Sequence, residues 1–439
     1  VSGQWSTPWA GGGQAAVPPR GAEPREYGGY DEYGPHDGHD DEPRRRRWPL
    51  FAVLAAVLVL VGVVAAQLLR PVPAPTLELA LPASHTFAGG APVLPLPADG
   101  QAAVYVEGLG TMGSSGGTAP TPTASVAKVM TAYVYLQEHP LATGEAGPVK
   151  TVSQQGVAEM PGRRQRGESL LGITAGLRLS ERKALEALLM ISANDVAHEL
   201  ARWDAGTDEA FVAKMNAAAR RLGMTSTTYT DPSGYDAGTV STAADQVKLL
   251  SAAMRVPAFA EVVANRAYVP DDGGPARPSG NLLIGRYGVV GGKTGYTDKA
   301  GGNYVFAARK RVGAVTTTII GAVMGQHSPS AVGAIQVGQR LVAAAETALT
   351  AERVAKAGDT VARVDDGLGG TTPLRAASSV TVVGWRGLTV RLGVAGDPPR
   401  TAAAGRSVGT LTAGPGRFAL TTADALTGPS LPHRLLRLG

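Results

Sequence analysis

Apolar residues along this 439-residue chain repeat with different periods in different stretches, and each period predicts a different element. From Trp48 to Ala66 they are nearly unbroken and uncharged, with FAVLAAVLVLVGVVAA at the centre. At about 1.5 Å per residue, a helix of that length crosses a hydrocarbon core of about 30 Å. Near Gln101 the run AAVYVEG predicts a strand. Spacing of three and four then predicts a series of helices. One runs from Ser125 through Leu136, one from the cap Ser180 to about Ile191, and one from Asp195 to about Trp203. Thr207 caps another, with Phe211, Met215 and Leu222 periodic and Gly223 at its stop, and Ser241-Thr242 opens one through Leu250. Beyond Leu282 the period shortens: 287–297, 303–308 and 315–324 are dense in Val, Ile, Thr and Tyr and predict strands, before a helix over 331–349. Strand, helices, three strands and a closing helix predict an α+β domain, an antiparallel sheet with a helical cluster inserted. Past Arg353, short runs at 360–364, 380–385, 388–394, 408–411 and 417–421 alternate with turn residues and predict a small C-terminal β-sandwich.

Composition changes this picture at the N-terminal end. Hydrophobic residues make up 44%, enough for a globular majority, while 58 Gly and 31 Pro point to long irregular stretches. Residues 1–47 are too polar to offset their ordering entropy and are expected to be a disordered cytoplasmic tail. Residues 48–69 form the expected transmembrane helix, and 70–95, with six prolines, a semi-extended spacer. The catalytic candidate then spans 96–350 and the β domain 351–430. Arg44 to Arg47 place the N-terminal side of the span in the cytoplasm and the rest of the chain outside. A cleaved signal sequence is the rival reading; the length of the apolar run favours a retained anchor. The net charge of +5 is modest and implies no nucleic-acid partner. There are no cysteines, which excludes disulfides, thiol catalysis and Cys-ligated zinc. The seven histidines are scattered, so neither a metal nor another cofactor is expected; His36 and His39 fall in the disordered tail, and His198-Glu199 is expected on a helix surface. Arg163, Arg164 and Arg166 are expected in a solvated loop.

Three short motifs carry the chemistry. Thr123-Ala124-Ser125-Val126-Ala127-Lys128 places a hydroxyl and an amine three residues apart at a helix start, so the amine can reach the oxygen and take its proton. Ser192-Ala193-Asn194 lies in the break between two helices, and Lys293-Thr294-Gly295 in a predicted strand, followed by Tyr296. Each triplet alone is common. In this order and these settings they form the set shared by β-lactamases and penicillin-binding proteins.

Residues from about 85 to 345 resemble the D-alanyl-D-alanine carboxypeptidases among the low-molecular-mass penicillin-binding proteins. The likeness is carried by ASVAKVMTAYV, GESLLGITAGLRLSERKALEALLMISANDVAHELA, RRLGMTSTTYTDPSGYD and GGKTGYTDKAGGNYVFAARK. It implies a β-lactamase/transpeptidase-like catalytic domain, with the C-terminal β region as the family's following sandwich. It also implies roles. Ser125 is the acylated nucleophile, Lys128 its neutral base, and Ser192 a relay to the leaving amine. Asn194 bonds a substrate amide, and Lys293 and Thr294 attract the terminal carboxylate. Gly295 completes the third motif, and the N–H groups of Ser125 and Tyr296 form the oxyanion hole. The implied partners are stem peptides ending in D-Ala-D-Ala, β-lactams as acylating inhibitors, and the lipid bilayer. Two departures stand out. The end from Pro432 is too short for the C-terminal amphipathic tether of many members, which the N-terminal span would replace. Where some relatives carry a basic residue after a strand, this chain has Gln326-His327, and the next arginine is Arg340. Alternatives are a class A-like β-lactamase, a D,D-endopeptidase or transpeptidase, and a non-catalytic receptor for muropeptides or β-lactams.

Overall fold

The computed structural model describes residues 47–436. Its centre is a five-stranded antiparallel sheet in the spatial order Val289–Thr297, Gly301–Val312, Val315–Gln326, Gln101–Val106, Gly110–Ser115. The first strand of the domain thus lies beside the last, Val104 opposite Gly321. Side chains alternate across a strand, so Gly301–Val312 serves two cores at once. Val305 and Ala307 join the helical cluster, whereas Tyr304, Phe306 and Ala308 pack with the closing helix Val332–Ala348. Because both faces are covered, the strand reads as a continuous apolar run rather than an alternating one.

The helices expected between these strands are present: Lys128–Glu138, Glu181–Met190, Asn194–Ala205, Asp208–Arg221 and Ala243–Ala253. Ser180, Thr207 and Thr242 cap theirs, each side-chain oxygen accepting a backbone N–H of the first turn. Two helices between these strands are additional, the short Pro257–Val263 and the longer Gln154–Gln165. Gln154–Gln165 begins at the cap Ser153 and contains Arg163 and Arg164, which corrects the expected loop. Arg163 is only 6% exposed and sits between Glu159 at 2.8 Å and Glu168 at 3.1 Å. Glu199, expected at a surface, is also buried; it accepts from the Ser153 N–H and hydroxyl and from Arg202.

The proline-rich stretch is not a free spacer. Thr76–Leu79 pairs with Thr360–Asp365, and Ser84–Thr86 with Thr389–Ala395, forming the two edges of a seven-stranded antiparallel sheet. Prolines disfavour central strands but tolerate short edge strands, whose outer N–H groups need no partner. The remaining inner strands, between Thr360–Asp365 and Thr389–Ala395, are Thr371–Ala376, Gly416–Thr422 and Ser407–Ala413. A two-stranded pair, Thr350–Ala355 with Val380–Gly384, shares the same apolar core. Phe87, just past the second edge strand, is 1% exposed and lies on Gly384, where an added Cβ would meet its ring at 2.3 Å.

Trp48–Leu69 is a single 22-residue helix with no buried residue, long and apolar enough to cross a membrane. The expected tail, with His36, His39 and the arginines 44–46 expected to set orientation, lies outside the described residues.

Replacing Phe87 by Ala is expected to lower stability by about 3–5 kcal/mol, as for a buried aromatic. Denaturant unfolding checks this. A midpoint unchanged from wild type would return residues 70–95 to a solvated linker.

Candidate active site

Ser125 lies in a one-turn 3-10 helix, Ala124–Ala127, that runs straight into Lys128–Glu138. Ala124 and Ser192 adopt left-handed φ values of +46° and +61°, which non-glycine residues do rarely and at a cost. These two strained positions aim the first and second motifs at the third. Ser125, Ser192, Thr294, Gly295 and Tyr296 line one open cavity of about 560 Å³. Lys128, Asn194 and Lys293 stand behind it, all buried. Gly295 is required by the fit: a Cβ there would lie 2.9 Å from the Ser125 backbone nitrogen and 3.0 Å from that of Val126.

Lys128 is the most constrained group. It is 0% exposed, and its Nζ contacts Ser125 Oγ at 2.8 Å, Asn194 Oδ1 at 2.6 Å and the Ser233 carbonyl at 2.7 Å. Two of these oxygens can only accept; the hydroxyl can accept or donate. A neutral amine has two protons and one lone pair, so it fits the site with its lone pair facing the Ser125 hydroxyl. Burial, and then the cation of Lys293, hold its pKa well below the usual lysine range, against opposing pulls from Asp231, Glu168 and Asp195. Lys293 itself is lowered to about 7 by burial. Its Nζ donates to Ser192 Oγ at 3.2 Å and to the Thr294 carbonyl at 2.7 Å.

Asn194 departs from its expected place as a substrate ligand. Its oxygen accepts a hydrogen bond from Lys128 and its nitrogen donates to Glu168 at 2.9 Å. Both ends of the amide are thus turned into the protein.

Glu168 is one of the residues missed in the sequence. Arg163 and Arg166 grip its carboxylate; burial works to raise its pKa, but the bonds from Asn194, Arg166 and Arg163 prevail and lower it. The other missed group is the loop Asp231-Pro232-Ser233-Gly234. Asp231 accepts from the Ser233 N–H and hydroxyl, the Tyr235 N–H and the Thr239 hydroxyl, and so presents the Ser233 carbonyl to Lys128. Gly234 has φ +76°, and a Cβ there would fall 1.9 Å from the Ala124 carbonyl oxygen. The Asp-Pro-Ser-Gly run is a turn signal; Glu168 carries no comparable signature.

Residues 113–327 match the D-alanyl-D-alanine carboxypeptidase family. A D-alanyl-D-alanine carboxypeptidase of Mycobacterium tuberculosis is 38% identical over 43% of this chain and 62% of its own length, so the chain spans under two thirds of that relative. One from a Streptomyces species is 30% identical over 47% of this chain and 73% of its own. The crystal structure of a Francisella tularensis D-alanyl-D-alanine carboxypeptidase superposes with a TM-score of 0.52 at 18% identity, covering 77% of this chain and 95% of that one. This last likeness concerns the fold, and it extends over more of the chain than the family match.

The Lys128 geometry predicts a pH profile. If Lys128 is the base for Ser125, the rate of Ser125 acylation by a penicillin probe is expected to rise with pH as the amine loses its proton and to level off below the ordinary lysine range. Removing the Lys293 cation by Lys293→Ala is expected to move the inflection upward. Stopped-flow labelling from pH 5 to 10 reads both. An inflection near the model-peptide lysine value of about 10.4 would contradict the assignment.

Proposed function

The chain belongs to the D-alanyl-D-alanine carboxypeptidase family, and we propose that it removes the terminal D-alanine from peptidoglycan pentapeptide stems through an acyl-enzyme on Ser125. The observation that carries this reading is the buried Lys128 amine, 2.8 Å from the Ser125 oxygen with its other contacts both obligate acceptors. In the proposed cycle Ser125 Oγ bonds the carbonyl carbon of the penultimate D-alanine while its proton passes to Lys128 Nζ. The N–H groups of Ser125 and Tyr296 hold the resulting oxyanion, a service worth about 2.7–4 kcal/mol per donor. Collapse breaks the C–N bond, and the proton travels through Ser192 to the leaving amine. Water then cleaves the ester and restores Ser125. Lys293 and Thr294 receive the leaving residue's carboxylate. Asn194 orients Lys128 rather than the substrate. A β-lactam enters the same cycle, but its leaving group stays tethered.

Rapid β-lactam hydrolysis is a poorer fit. It needs a base to activate water against the ester, and none of the cavity-lining residues is an Asp or Glu. Glu168, the nearby carboxylate, is held by Asn194, Arg163 and Arg166. Penicillin is therefore expected to remain bound. In the same reading 96–350 is the catalytic domain and 351–430, with the edge strands taken from 70–95, a spacer. Trp48–Leu69 anchors the chain in the bacterial cell membrane with its N-terminal side in the cytoplasm.

Ser125→Ala is expected to abolish both D-alanine release from a pentapeptide and labelling by fluorescent penicillin. Lys128→Arg keeps the charge but is expected to slow acylation about 10²–10⁴-fold, the usual worth of a general base. Mass spectrometry of the products and the labelled protein reads each. Fast turnover of a chromogenic cephalosporin, or wild-type acylation in the arginine variant, would overturn the scheme.

A further inference from the structure

One cation in the cleft is not used by this scheme. Arg277 lines the same cavity as Ser125, Ser192 and Thr294, and it is the only arginine or lysine among those lining residues. It stands on a two-residue ribbon, Arg277 opposite Tyr268. Its Nη2 donates to the Leu170 carbonyl at 3.0 Å. Among the described residues it forms no ion pair, whereas Arg163, Arg166 and Arg202 are each matched with carboxylates. A guanidinium walled into a cleft with one neutral partner keeps most of its five donors for something else.

The ribbon's continuation shows which end of the cleft it serves. The Gly280 N–H donates to the Met190 carbonyl at 3.0 Å, two residues before Ser192. A Cβ on Gly280 would lie 2.8 Å from Thr294 Oγ1. Gly280 therefore links the end of the helix before the second motif to the third motif. With a scissile carbonyl at Tyr296, Thr294 lies two residues along the same strand, beside the segment that carries Arg277. The segment after Val315–Gln326, the alternative place for a basic group, lines the cleft only through Ala331; Gln326 is buried and donates to the Asp99 carbonyl at 2.7 Å.

We propose that Arg277 is a specificity residue that binds the carboxylate of the leaving residue, or the equivalent carboxylate of a β-lactam, and so selects acids over their neutral analogues. The planar fork of a guanidinium matches a carboxylate and is costly to replace by a neutral group. This rests on the acyl-transfer reading of Ser125, and it deepens that reading by naming the anion the cleft demands.

The test compares acylation of the full-length protein by benzylpenicillin and by its methyl ester, in wild type, Arg277→Lys and Arg277→Gln. The glutamine keeps a donor for Leu170 without the charge. We expect the acid-to-ester rate ratio to fall about tenfold or more in Arg277→Gln, as for loss of one charge-assisted bond, and to be partly restored in Arg277→Lys. For a pentapeptide, KM should rise more than kcat falls. An unchanged ratio, including the case in which both rates drop together, would overturn the proposal and leave Arg277 a structural contact. If the wild-type protein is acylated but releases no D-alanine, the carboxypeptidase reading fails, while the acid-to-ester ratio still decides the role of Arg277.

Discussion

A lysine amine without solvent contact must find fixed partners for every proton it keeps, and that demand organises this site. Lys128 is met by its own helix turn at Ser125, by Asn194 at the start of a second helix, and by the Ser233 carbonyl from a loop. None of the three is free to drift. Asn194 is tied to Glu168, which two arginines hold, and Ser233 is tied to Asp231. The amine is thus placed by a second layer of ions that never reaches the cavity. Two of its partners only accept, the Ser125 hydroxyl faces its lone pair, and a second buried cation discourages it from keeping a third proton.

Backbone strain serves the same geometry. Left-handed conformations at Ala124 and Ser192 cost about 1–3 kcal/mol each and persist only where the surroundings over-determine them. Here the surroundings are close backbone approaches. Gly295 lets the third-motif strand lie against the Ser125 turn, and Gly234 lets the Ser233 loop lie under Ala124. Any side chain at either glycine pushes directly on the nucleophile's turn. Ser125, Lys128 and Ser192 are therefore held by packing rather than by the motif residues alone.

Much of this was legible in the sequence because the elements have strong periods and ordinary caps. Helices with apolar faces, such as Glu181–Met190, and apolar strands, such as Val315–Gln326, fall where spacing predicts them. The failures share a cause. Gln154–Gln165 carries Gly, Pro and two arginines and no apolar stripe, so it reads as a loop; it is held by ion pairs to Glu168 and Arg202. Thr76–Leu79 reads as part of a spacer because its partner strand, Thr360–Asp365, lies about two thirds of the chain away. At the site, the three motifs could be found by type and order. Glu168 and Asp231 could not be assigned, since a carboxylate that positions another side chain leaves no spacing rule. Asn194 was visible by type, but its direction, set by its bond to Glu168, was not.

The central claim is that Lys128 rests as a neutral amine. With lysine labelled by ¹⁵N at Nζ, and Lys128→Ala used to assign the signal, NMR of the resting protein near pH 7.5 reads its protonation directly. A resonance in the neutral-amine range, moving to the ammonium range only on acidification, is the expected result. An ammonium signal at Lys128 that persists through neutral pH would contradict the account.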